Sequence, residues 1–205
     1  MPGQTLKTEA FVIERRPPAD AFQTFVLFSA EHGNLLALQR VPRKSTGSHV
    51  AADLFDEVSA LLESSNQGRT WFVKEFRIIT RRHAIGRSYD TLRFASALVA
   101  VIGRNPVHEE SRLPVATLLR TALDAFGSAE RPDVVHLKSL YRFARDEGYP
   151  VKQEWVPSLV GADRRVAAAV LNRPLGEQAS SPADVARLRR SLEGYLSAST
   201  EIIIP

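Results

Sequence analysis

Ten basic side chains in the first 82 residues are the groups best suited to chemistry in this chain: Arg15, Arg16, Arg40, Arg43, Lys44, Arg69, Lys74, Arg77, Arg81 and Arg82. Guanidinium and ammonium groups neutralise phosphates and hold a polyanion without reading its sequence. The tightest grouping is Arg40, Arg43 and Lys44, three cations within five residues that no acid interrupts. Aromatic faces meet the second need of a single-strand surface, because bases stack on them. Trp71 and Phe72 are adjacent, so on a strand they point to opposite faces, and one of them is a stacking candidate. Phe22, Phe25 and Phe28 lie in an apolar run and are assigned to a core. The competing reading of the cations is an ordinary solvated face, since residues 1–83 hold 11 cations against 9 anions. A second basic set, Lys138, Arg142 and Arg145, is spaced four and three apart, which places it on one face of a helix. With Leu137, Tyr141 and Phe143 nearby, that face is a candidate receiver of an acidic peptide.

Catalytic chemistry finds little footing. The five histidines (His32, His49, His83, His108 and His136) lie far apart, with no metal-ligand spacing. There is no phosphate-binding glycine loop, no nucleophile elbow and no paired-carboxylate motif; Asp53, Asp56 and Glu57 cluster without a basic or metal partner in view. The absence of cysteine removes disulfides, thiol nucleophiles and thiolate zinc sites. No catalytic residue, metal ligand or cofactor is therefore assigned, and the expectation is a protein that is not an enzyme. Hydrophobic content of 44%, charged content of 24% and a net charge of +4 fit a soluble, mildly basic globular protein. The apolar stretches 11–13 and 94–103 fall short of a signal core and of the roughly 20 residues a membrane span needs. A reducing cytoplasm is the expected compartment.

The elements that must position these groups follow from periodicity. Residues 8–16, 21–29 and 35–41 read as three strands bounded by Pro17-Pro18 and by the Glu31-His32-Gly33-Asn34 turn, where Gly33 can take positive φ. Residues 1–6 read as a loose lead-in. Residues 53–63 suit either a helix capped by Asp53 or a strand; the hairpin turn at Asn66-Gln67-Gly68 and the β-rich run 70–80 favour the strand, giving five. From Ser88 onward Ala, Leu and Arg recur at helical spacing, predicting helices over 89–102, 113–126, 134–147, 164–171 and 185–196. Asp133, Asp163 and Ser181 are the expected N-terminal caps, Pro182 the first helical residue of the last helix, Gly127 the end of the second and Gly148 a C-terminal stop. The expectation is an α+β chain: an N-terminal five-stranded OB-fold β-barrel over 1–82, then an all-helical domain over 83–205. The apolar tail Ile202-Ile203-Ile204 must dock against something.

The opening stretch Lys7-Thr8-Glu9-Ala10-Phe11-Val12-Ile13, followed by Phe25-Val26-Leu27-Phe28-Ser29-Ala30-Glu31-His32-Gly33-Asn34-Leu35, resembles the start of the bacterial recombination mediator RecO family. There too the third strand runs into a basic segment, matched here by Arg40, Arg43 and Lys44, and a Gly-Tyr pair closes a helix, here Gly148-Tyr149. The likeness extends to about residue 155, by motif in the barrel and by layout in the helices. It implies an OB-fold domain that binds single- and double-stranded DNA and anneals complementary strands. It also implies contact with the acidic C-terminal tail of single-stranded DNA-binding protein, and work with RecR in loading recombinase during DNA repair. A cytoplasmic, nucleoid-associated location follows from that role, and no cofactor does. Many family members carry four zinc-binding cysteines after the Gly-Tyr pair. This chain has Lys152-Gln153-Glu154-Trp155 there, so the resemblance is to a cysteine-free, zinc-less and short member whose segment must hold itself by packing, through Trp155. An interaction scaffold whose barrel has lost DNA binding is the alternative.

Overall fold

The computed structural model describes residues 3–41, 51–64 and 67–205. Arg43 and Lys44 lie outside the described residues. The chain is α+β, a five-stranded sheet followed by helices. Its two compact units are Met1–Arg82 with Pro106–Ala116, and His83–Asn105 with Thr117–Pro205.

The strands are β1 (Gln4–Arg15), β2 (Phe22–Ser29), β3 (Gly33–Arg40), β4 (Glu57–Ser64) and β5 (Trp71–Thr80). They pair in the order β1-β2-β3-β5-β4, and β4 returns to β1, so the sheet is a closed barrel. All ladders are antiparallel except the short parallel contact of β3 with β5, Ala37 opposite Trp71 and Leu38 opposite Phe72. Alternation along β2 buries Gln23, Phe25 and Leu27, while Phe22, Thr24 and Val26 are only half-buried. Phe25, Leu27, Ala37, Ala60 and Trp71 fill the interior.

Residues 4–7 belong to β1, pairing from Gln4 with Ser64 to Lys7 with Leu61, where a loose lead-in was expected. Their partners are some sixty residues away, so no local pattern marks them. β4 starts at Glu57 rather than 53. Asp53 makes a turn instead of capping a helix: the Asp56 amide donates to its carbonyl at 3.1 Å, its own amide donates to Asp56 Oδ2 at 2.9 Å, and Phe55 takes φ +72°.

A single break between 82 and 83 does not describe the first unit, which also takes in 106–116. Arg112 supplies the reason. Its Nη1 donates to the Glu31 carbonyl at 3.1 Å, pinning the Glu-His-Gly turn. Gly33 has φ +66°, a conformation that favours glycine, and a Cβ there would lie 3.2 Å from Arg112 Nε and press on that side chain.

The helices are α1 (Tyr89–Arg104), α2 (Arg112–Ser128), α3 (Pro132–Asp146), α4 (Trp155–Ser158), α5 (Gly161–Asn172) and α6 (Pro182–Ser199). Ser181 caps α6 with Pro182 at the first turn, as its sequence signature predicts. The other expected caps and the stop at Gly127 need correction. α2 runs past Gly127 to Ser128. Asp133 sits inside α3, which begins at Pro132, and its carboxylate is taken by Arg131 at 2.8 and 2.9 Å. Asp163 lies in the first turn of α5, where Arg187 donates to it at 2.7 and 3.0 Å. Gly148 has φ +88° after α3, and the Tyr149 amide donates back to the Ala144 carbonyl at 3.0 Å.

The segment without thiolates does hold by packing. Trp155 is 1% exposed, its Nε1 donates to Ser191 Oγ at 3.1 Å, and its ring lies 5.9 Å from that of Tyr141. The tail docks through buried Ile202, and the Asn105 side chain donates to the Ile203 carbonyl at 3.0 Å and accepts from its amide at 2.8 Å. Among the described residues no helix is long and apolar enough to cross a membrane.

Candidate nucleic-acid interface

Strand register assembles the aromatic and basic side chains on the outside of the barrel. Ala37 and Trp71 point inward, so their neighbours Leu38 and Phe72 point outward. β2 pairs Phe22 with Arg40, and β4 sets Glu63 opposite Phe72. The result is an outward cleft of about 480 Å³ whose walls include Phe22, Leu38, Arg40, Glu63, Phe72 and Lys74. Phe72 is 37% exposed and meets Phe22 edge-on at 5.9 Å. Of the adjacent pair in β5, Trp71 is therefore core and Phe72 the surface face. Phe22 is a correction: it is half-buried on the outer side, not in the core. The alternation that buries Gln23 and Phe25 was the signal that would have found it.

The eight of these cations that lie among the described residues divide by whether the fold gives them a carboxylate. Arg40 and Arg69 are exposed with no acidic partner among the described residues. Lys74 lines the cleft and pairs with Glu63. Arg15 pairs with Asp53 at 3.2 Å, Arg77 with Glu75 at 3.6 Å and Arg16 with Glu14 at 2.9 Å; the last bond raises the Arg16 pKa. Arg81 reaches Asp56 at 3.4 Å and the Ala51 carbonyl at 3.0 Å.

Arg82 leaves the surface set altogether. Its side chain is 5% exposed, it bonds Glu57 Oε2 at 3.3 Å and the Phe55 carbonyl at 3.2 Å, and it lies over the Phe11 ring at 5.7 Å. A buried carboxylate needs such a partner, so Arg82 holds the barrel together rather than facing a ligand. The acidic trio Asp53, Asp56 and Glu57 thereby acquires the basic partners that the sequence did not reveal.

In the helical unit, Lys138, Arg142 and Arg145 of α3 do line one groove, joined by Lys152. Its volume is about 510 Å³, and its lining is mainly aliphatic, with Leu118, Ala122 and Ala125 of α2, Val156 of α4 and Leu171 of α5, together with the Tyr141 ring of α3. Among the described residues no carboxylate lines it. Lys138 Nζ donates to the Arg173 carbonyl at 2.7 Å, and partial burial lowers its pKa. Lys152 reaches the rim through packing between helices, which no spacing along the chain reveals.

Close by, His136 of α3 is 2% exposed, and neither imidazole nitrogen has a hydrogen-bond partner among the described residues. Burial first, then the charges of Arg189 and Arg93, lowers its pKa to about 4, so it is neutral at pH 7. The described residues contain no cluster of three or more groups able to hold a metal ion.

No protein-family model matches this chain, and no curated protein matches it.

Proposed function

We propose that this protein is a non-enzymatic recombination mediator of the RecO type, with an OB-fold barrel that binds single- and double-stranded DNA and promotes annealing. The observation that carries the reading is the outward Phe22–Phe72 pair between Arg40 and Lys74. Bases stack on such faces at about 1–3 kcal/mol each, while cations beside them neutralise phosphates without selecting sequence. The five-stranded closed barrel supports the OB assignment, and Phe22, Leu38 and Arg40 of the cleft lie on β2 and β3, the strands that carry the ligand face of that fold.

The groove on α3 is the proposed receiver of the acidic tail of single-stranded DNA-binding protein: four cations rim an apolar floor that has no lining acid. In this reading RecR is the further partner in recombinase loading, the chain works on the nucleoid in the cytoplasm, and it turns over no cofactor. A second reading, an interaction scaffold without DNA binding, draws on Arg15, Arg16, Lys74, Arg77, Arg81 and Arg82 all having carboxylate partners within the fold. Gel shift and strand annealing at two salt concentrations separate the two. The mediator binds and anneals, and binding weakens with salt; a scaffold does neither at any salt.

A further inference from the structure

The barrel cleft holds an acid where a surface for a polyanion needs none. Glu63 of β4 lies opposite Phe72 of β5 in an antiparallel ladder, so the two side chains stand side by side on the outer face. Phe72 is thereby flanked by Leu38 of β3 on one side and by Glu63 on the other. The Glu63 side chain is 41% exposed, and its Oε2 pairs with Lys74 Nζ at the cleft wall. Its Oε1 has no partner among the described residues. Gly3 lines the same cleft, and a Cβ there would lie 3.1 Å from that oxygen, so the missing side chain leaves Oε1 open. An exposed ion pair adds about 0–1 kcal/mol to stability, too little to account for a charge that repels phosphates.

Phosphate contacts carry no sequence information, so discrimination at this cleft has to come from what meets the base edge. A carboxylate only accepts hydrogen bonds. The exocyclic amino groups of cytosine, adenine and guanine donate to such an acceptor. Thymine and uracil present carbonyl oxygens instead, and their N3–H is flanked by two of them. We propose that Glu63 reads the edge of the base seated on Phe72 and makes the cleft prefer bases with an exocyclic amino group over thymine and uracil. Lys74 holds the carboxylate by Oε2 and leaves Oε1 for the base. This inference rests on the single-strand reading of the cleft.

The test compares Glu63→Gln with the unaltered full chain in fluorescence anisotropy. The probes are labelled deoxyoligonucleotides of equal length, one made only of cytosine and the other only of uracil, at a slightly alkaline pH that keeps cytosine neutral. The two bases differ only along the edge that Glu63 would meet, and the phosphates are the same. The unaltered chain should bind the cytosine oligomer roughly threefold more tightly, the low end for one hydrogen bond that stays exposed to water. Glutamine offers a donor as well as an acceptor, so Glu63→Gln should bring that ratio close to one, while loss of the charge strengthens both oligomers. A ratio at or below one in the unaltered chain, or equal strengthening of both oligomers with the ratio unchanged, overturns the proposal and leaves Glu63 as a partner of Lys74 alone. If the unaltered chain binds neither oligomer, or Phe72→Ala binds both as tightly as it does, the cleft reading itself fails and this proposal falls with it.

Discussion

The barrel and the helical unit each offer a concave surface edged by cations, yet the two differ in what lies between the charges. The barrel cleft is floored by two phenylalanine rings, one more than a third exposed, with Arg40 unpaired among the described residues. The helical groove is lined mainly by leucine, valine and alanine, with the single ring of Tyr141 among them and four cations at its rim. Paired aromatic faces suit bases and a mainly aliphatic lining suits apolar side chains, so on the proposed reading similar charge would serve different ligands. The units also bury their basic groups differently. Arg82 is buried with Glu57 as partner, whereas His136 is buried with none among the described residues and stays neutral. Burial is tolerated when charge is matched or absent, and each unit has taken one of those routes.

The largest expected effect tests the buried pair. Arg82→Leu strips Glu57 of its guanidinium and should cost the barrel about 3–5 kcal/mol, seen as a lower urea midpoint with Trp71 as reporter in a Trp155→Phe background. Adding Glu57→Leu should recover much of that loss; no recovery would mean that the pair is not what matters.

Acid comes next and should act on the other unit. The native pKa of His136, about 4, lies below its ordinary 6.5, so the native state resists protonation. Its contribution is complete above pH 6.5 and disappears as pH falls toward 4, by at most about 3 kcal/mol. Urea melts reported by Trp155 in a Trp71→Phe background should show that slope, and His136→Leu should flatten it. Equal slopes with and without the histidine would remove it as the cause.

Smaller effects sharpen the division of ligands. Phe72→Ala should weaken single-stranded DNA binding about tenfold, within the 1–3 kcal/mol of one stacked base, and leave acidic-peptide binding intact. Lys138→Glu should do the reverse, weakening the peptide roughly fivefold with DNA untouched. Loss of both ligands in either variant would collapse the distinction between the two surfaces.

Local patterns told most of this fold. The alternation at Phe25 and Leu27, the positive φ of Gly33 and the Ser181-Pro182 helix start all rest on neighbours or on single residues with strong preferences. What escaped depends on distant partners. Arg82 and Glu57 are separated by 25 positions, and Arg112 and Glu31 by 81, and nothing in either neighbourhood announces the other. That is why ten cations could be named as one surface when six of the eight described ones have a carboxylate partner within the fold and, among the described residues, only Arg40 and Arg69 have none.

The central claim is that the Phe22–Phe72 cleft with Arg40 is where single-stranded DNA lies. The most direct measurement is oligonucleotide affinity across a salt series for the unaltered chain and for Arg40→Ala combined with Phe72→Ala. The account predicts much weaker binding at every salt and a log–log slope shallower by about 0.7, the share of one phosphate contact on a single strand. Unchanged affinity and an unchanged slope would contradict it.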